Sequence, residues 1–164
     1  MKFIIDADIM RSAGTAEHPV SSTSRNLLNE IKNGNGIAVY CPTLMQEWKK
    51  HRSNYARLWT VAMISRKKLV EVNVDTETKL FLEKLDDSKS KGIALKDAHL
   101  IDLAIATDKV IFSNDLNAKN AFSELLDNRN NFNDIYWLSP KINMEIILNN
   151  ILKNKNIYNQ DIIV

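Results

Sequence analysis

Apolar residues fall along this chain in two rhythms. Runs of three to six residues rich in Ile, Val, Phe and Tyr alternate with longer stretches whose apolar positions recur every three or four residues. The first rhythm suits buried strands, the second helices packed on one face. Phe3-Ile4-Ile5 predicts a strand that stops at Asp6-Ala7-Asp8. Residues 11–20 carry Gly14 and Pro19 and read as a loop or broken helix. Ser21-Ser22-Thr23-Ser24 supplies N-caps for a helix through Leu27, Leu28 and Ile31, which Asn33-Gly34 stops. Ile37–Tyr40 is a second strand. Pro42-Thr43, with Thr43 as cap, starts one long helix. Its Leu44, Trp48, Tyr55, Leu58, Trp59, Ala62 and Met63 keep helical spacing down to about Lys68.

The same alternation continues. Leu69–Val74 reads as a third strand, and Asp75-Thr76 caps a helix with Leu80, Phe81 and Leu85 inward. Asp86–Lys91 is polar and ends at Gly92, the signature of a surface loop. Asp97 opens an Ala-rich helix that leads into a fourth strand, Val110–Phe112, closed by Ser113-Asn114-Asp115. A helix over Asn117–Asn128, a polar turn at Asn130–Asn133 and a fifth strand at Ile135–Leu138 come next. Ser139 as cap with Pro140 in the first turn starts the last helix, to Leu152; the Asn/Lys-rich tail from Lys153 reads as partly frayed. Alternating strands and helices predict an α/β fold: a three-layer α/β/α sandwich with a largely parallel five-stranded sheet. Neither repeats nor linkers divide the 164 residues, which read as a single domain.

Composition changes this picture little. A content of 45% hydrophobic and 26% charged residues is that of an ordinary globular protein, and a formal charge of +2 decides nothing about partners. Cys41 is the one cysteine, so an internal disulfide and a four-cysteine zinc site are both excluded. At the end of an apolar run it reads as a small buried thiol. The N-terminus lacks the roughly 7–15 apolar residues of a secretory signal, and no run approaches the ~20 of a membrane span. The expected location is the cytoplasm, with no membrane partner.

Four acids change it more. In a parallel sheet, ligands gather at the carboxyl ends of the strands. Asp6 and Asp115 end the first and fourth predicted strands, Glu47 comes after the second, and Asp97 begins the helix before the fourth. Taken singly, each has an ordinary use as a turn former, cap or solvated helix residue. Together they form a carboxylate cluster suited to hard divalent cations, one or two Mg²⁺ or Mn²⁺ ions. The matching chemistry is metal-assisted hydrolysis of a phosphodiester.

The pieces FIIDADIM, CPTLMQEW, KDAHLIDLAIATDKVIFSND and IYWLSP, spread over residues 3–140, resemble the PIN-domain family of metal-dependent ribonucleases, which includes the VapC-type toxins. The resemblance implies metal-binding and catalytic roles for Asp6, Glu47, Asp97 and Asp115, with Ser113 before the last acid. It implies single-stranded RNA as substrate, an antitoxin protein that blocks the site with a basic segment, and a homodimer. One departure is Asp8, where the family often has Ser, Thr or Asn; it would bind metal through water or cap the segment after it. Asp102 lies five residues after Asp97, about 140° around a helix, and so on another face. His99 and Asp102, three apart, are expected to pair with each other.

A second constellation is basic. Between Glu47 and Lys68 stand Lys49, Lys50, Arg52, Arg57, Arg66, Lys67 and Lys68 against one acid, while the rest of the chain is net acidic. Such a stripe suits a phosphate backbone. Tyr55 or Trp59 would offer a stacking surface, although Trp48 and Trp59 read better as core. Arg11, near Asp6 in sequence, is a candidate for the scissile phosphate. The expected function is a metal-dependent endoribonuclease. The alternatives are a catalytically silent PIN-like module that binds RNA or protein, and a receiver-like or phosphatase domain. The last fits poorly, because the fifth strand leads to Ser139-Pro140 where a receiver needs Lys.

Overall fold

The computed structural model describes residues 1–126, 132, 134–155 and 163–164. Five strands, β1 (Lys2–Ile5), β2 (Ile37–Tyr40), β3 (Leu69–Glu71), β4 (Val110–Phe112) and β5 (Tyr136–Leu138), form one sheet in the order β3-β2-β1-β4-β5. Every neighbouring pair is parallel. The central strands carry no polar alternation: Phe3, Ile4 and Ile5 of β1 and all of β4 are buried. Both faces of the sheet must therefore be covered. Right-handed crossovers put α1 (Ala7–Ser12), α2 (Pro19–Asn33), α3 (Pro42–His51) and α4 (Asn54–Ser65) on one face. They put α5 (Glu77–Glu83), α6 (Lys89–Ile105) and α7 (Leu116–Leu126) on the other. The last helix, α8 (Pro140–Asn149), packs back onto α2. The predicted three-layer α/β/α sandwich is the observed one.

Several boundaries differ from the sequence reading, each for a local reason. Residues 11–20 form the broken helix the sequence suggested, with α1 running to Ser12, an irregular stretch over 13–18, and α2 beginning at Pro19, ahead of the expected caps at Ser21–Ser24. His18 caps α2 by accepting from the Val20 amide through Nδ1, so the run of serines after it lies inside the helix. The long helix to Lys68 is two helices. Arg52 and Ser53 are extended, and the Ser53 hydroxyl caps α4 at the Ala56 amide, 3.1 Å, while donating to the Ala13 carbonyl, 2.8 Å. Cys41, not Thr43, occupies the N-cap position of α3, buried as expected, and burial raises its thiol pKa.

β3 stops at Glu71, short of Val74. On α5 the buried apolar residue is Leu82, whereas Leu80 is exposed. The largest revision concerns α6. Ser88 caps it at the Lys91 amide, so Gly92 and its polar neighbours are helical and Asp97 sits in mid-helix, not at its start. The end of the predicted helix at Asn128 and most of the Asn130–Asn133 turn lie outside the described residues, as do residues 156–162 of the tail. The chain's last two residues are tied down: Tyr136 bridges Ile163 antiparallel, and the Val164 amide donates to the Ile135 carbonyl, 2.8 Å. Among the described residues no helix is long and apolar enough to cross a membrane.

Candidate active site

Chain direction reverses beside β1. The path runs outward from β1 to β2 and β3, then jumps across to β4 on the other side of β1. Helices on the two sides of this switch point splay apart and leave a crevice at the carboxyl ends of β1 and β4. Asp6 and Asp115 flank that crevice. The sheet ladder extends one residue into it, since the Asp6 amide donates to the Phe112 carbonyl, 2.9 Å, and the Ser113 amide to the Leu138 carbonyl, 3.0 Å. The backbone under the acids is held as firmly as a strand.

A cavity of about 530 Å³ opens there, and five carboxylates from four parts of the chain line it: Asp6, Asp8, Glu47, Asp97 and Asp115. All four acids predicted as ligands are thus brought together, with Asp8 as a fifth. Asp8 lies in the first turn of α1. Glu47 is set in place by its neighbour Trp48, which is fully buried and donates from Nε1 to the Ile5 carbonyl, 2.8 Å, locking α3 against the end of β1. Asp97 projects from α6, whose Ala94, Ala98 and Ile101 are buried.

Ser113 is the hub of the hydrogen bonding. Fully buried, it donates to Asp6 Oδ2, 2.7 Å, and accepts from the Asp115 amide, 3.0 Å. Asp8 Oδ2 accepts from the Asn114 amide, 2.8 Å, and Asp115 Oδ1 caps α7 at the Ala118 amide, 2.9 Å. Asn114, which sequence reasoning passed over, ties this turn to the start of α8 by accepting from the Ser139 hydroxyl, 2.6 Å. Its signal was its place between Ser113 and Asp115.

The expected His99–Asp102 pair does not form. His99 Nε2 lies 3.2 Å from Glu47 Oε2, a close polar contact outside hydrogen-bond alignment, which sets α6 beside α3 at the site. Asp102 is buried elsewhere, accepting from the Thr78 amide, 2.9 Å, and lines a separate small cavity with Asp75 and Glu77. The different faces expected for Asp97 and Asp102 are what is seen.

The predicted basic stripe is scattered. Lys68 Nζ donates to the carbonyls of Ile31, Lys32 and Gly34 at 2.6, 2.9 and 2.7 Å, and Arg66 adds a bond to Lys32, 3.1 Å. These two cations close the C-terminus of α2. Arg57 bonds Asn54 on its own helix. Trp59 is core and donates to the Leu28 carbonyl, and Tyr55 packs half-buried against the core, so Trp59 offers no stacking face. Lys49, Lys50, Arg52 and Arg57 are not among the residues lining the cavity. Arg11 lines it, together with two residues the sequence reading missed in this role, His51 and Lys96.

Crowded carboxylates resist ionisation. Asp8 is pushed up to about 8, first by burial and then by the charge of Asp6. Burial, then Asp6, pushes Asp97 up to about 7, with His99 pulling the other way. Asp6 is raised too, by burial, against the opposing hydrogen bond from Ser113. A bound cation would relieve this repulsion and displace those protons. Asp8 Oδ1 is buried with no hydrogen-bond partner, as expected of an oxygen awaiting a cation or its water. Among the described residues no three acid, His or Cys side chains close on one point as a ready-made coordination shell. The donors that line the cavity are carboxylate oxygens, the type that hard cations such as Mg²⁺ take while keeping several waters.

No family model matches the chain, and no curated protein is significantly similar to it.

Proposed function

We propose that this chain is a PIN-type metal-dependent endoribonuclease. The observation that carries the reading is the convergence of five carboxylates on one cavity at the switch point of a parallel sheet. An acid cluster with raised proton affinity is costly to keep, which supports a functional role for it. Asp6, Glu47, Asp97 and Asp115 would hold one or two Mg²⁺ or Mn²⁺ ions, with Asp8 adding a fifth carboxylate. The ion would supply a polarised water and a counter-charge for the phosphoryl oxygens. Ser113 keeps Asp6 aimed and orients the turn bearing Asp115. His99 lies against one oxygen of Glu47, and α1 carries Asp8 over the cavity. Single-stranded RNA is the proposed substrate. As a toxin of the VapC type it would act in the cytoplasm as a homodimer and be silenced by an antitoxin protein.

The test is cleavage of a mixed-sequence single-stranded RNA with Mn²⁺ and with EDTA, beside Asp6→Asn and Asp97→Asn. Cutting that needs the metal and both acids supports the reading. An inactive wild-type protein whose melting temperature ignores Mn²⁺ would move the function to a silent binding module.

A further inference from the structure

Three helices each present an acid and a base to the same cavity. On α1 they are Asp8 and Arg11, three residues apart; on α3 Glu47 and His51, four apart; on α6 the adjacent Lys96 and Asp97. Spacings of three and four put both members of a pair on one helix face. The acids are at least partly buried, whereas Arg11, His51 and Lys96 are exposed at the rim. Among the described residues none of these three bases reaches ion-pair distance of a carboxylate, while Arg25 and Lys91 do so elsewhere. Lys68 and Arg66 are consumed by backbone carbonyls. The rim bases stand ready for a different anion.

The cavity also continues. Through Asp8, Arg11 and Asp115 it runs into a second hollow of about 390 Å³, whose further walls are Asn114, Leu116 and Asn117. A site for one phosphate group needs no such extension. A strand crossing the acids does, and the neutral Asn117 amide beyond them suits sugar and phosphate oxygens without adding charge.

We propose that Arg11, His51 and Lys96 anchor the backbone of a single polynucleotide strand along this groove: His51 and Lys96 grip phosphates on one side of the carboxylates, and Arg11 the phosphate at the junction with the second hollow. This rests on the nuclease reading and assigns its substrate contacts to the rim instead of the stretch from Lys49 to Arg57. Cations set around an acidic floor hold the strand by its flanking phosphates, while the floor would keep a bare phosphate away.

Binding of a labelled RNA 12-mer to Asp97→Asn protein, with Mn²⁺ and across 50–200 mM salt, tests it. Adding Arg11→Gln and Lys96→Gln should lower the steepness of log K against log salt by about 1.4, which is ~0.7 for each phosphate no longer neutralised. His51→Gln should weaken binding about two- to tenfold, and Lys49→Gln with Lys50→Gln should leave the slope unchanged. If the parent binds RNA and the Arg11/Lys96 variant keeps its slope, the anchoring role is wrong and the nuclease reading stands. If the folded parent does not bind RNA at all, both fall together.

Discussion

The acid cavity and the basic stretch of α3 and α4 are opposite cases of how sequence neighbourhood maps onto a surface. The five acids span residues 6 to 115 and meet at one crevice. The lysines and arginines between Lys49 and Lys68 are neighbours in sequence and disperse: two close the end of α2, one bonds within α4, and none of them lines the cavity. A parallel sheet explains the difference. Each strand end returns to the same edge, so residues just past strands converge however far apart they are in the chain. A helix with a break in it sends consecutive side chains in every direction.

The sharpest way to break this comparison is cleavage itself. Asp97→Asn should reduce RNA cutting on the order of 10²–10³-fold, as loss of a charge-stabilising group does. Lys49→Gln with Lys50→Gln should change the rate by less than about threefold, since surface substitutions away from a site are near neutral. Equal losses in the two proteins would erase the distinction.

Next comes Ser113→Ala, which strips Asp6 of its donor and the Asp115 amide of its acceptor. Apparent Mn²⁺ affinity, read by thermal shift titration, should fall about 10–100-fold, the usual effect of losing a partner behind a metal ligand. Unchanged affinity would show that the hydroxyl does not support the cluster.

Stability separates the two regions in a third way. Lys68→Met should cost about 1.5–3 kcal/mol in urea unfolding, because it removes a charged donor from three carbonyls. RNA binding by the folded variant should be unaffected. In the acid cavity the sign is reversed. Asp8 and Asp97 hold protons more tightly in the folded protein than in the unfolded chain. Folding therefore takes up protons between about pH 4 and pH 8, and the contribution of these groups to stability falls as pH rises through that window. In EDTA, Asp97→Asn should be more stable than wild type at pH 8, by ~1–3 kcal/mol, with the advantage gone near pH 4. Mn²⁺ should stabilise wild type most at the alkaline end. A wild-type advantage at pH 8 without metal would contradict the crowding of charges.

The smallest effect concerns Gly92 in α6. A methyl group there meets no atom within 4 Å, and its φ is not positive. Gly92→Ala should stabilise the protein by about 0.5–1 kcal/mol, with no change in cleavage, through the entropy of the unfolded chain.

By itself the sequence determined the layer order, the five strands and the acids at their ends. Those depend on unbroken apolar runs such as Phe3-Ile4-Ile5 and Val110-Ile111-Phe112, which bury on both faces wherever they lie. It also marked Trp48 and Trp59 as core, since their helical spacing leaves them no other face. Only the tertiary structure decided what competing local signals would do. Ser53 broke a helix whose periodicity ran on, because the Ala13 and Met10 carbonyls at the end of α1 were there to receive its hydroxyl and amide. Ser88 began α6 early enough to carry Gly92, because burial of Ala94 and Ala98 outweighs one glycine's cost, ~1 kcal/mol. His99 turned to Glu47 across the gap between α6 and α3 instead of to Asp102 on its own helix, which the Thr78 amide had taken. Local pattern reports what a residue can do; which partner it meets is settled by the chain that folds against it.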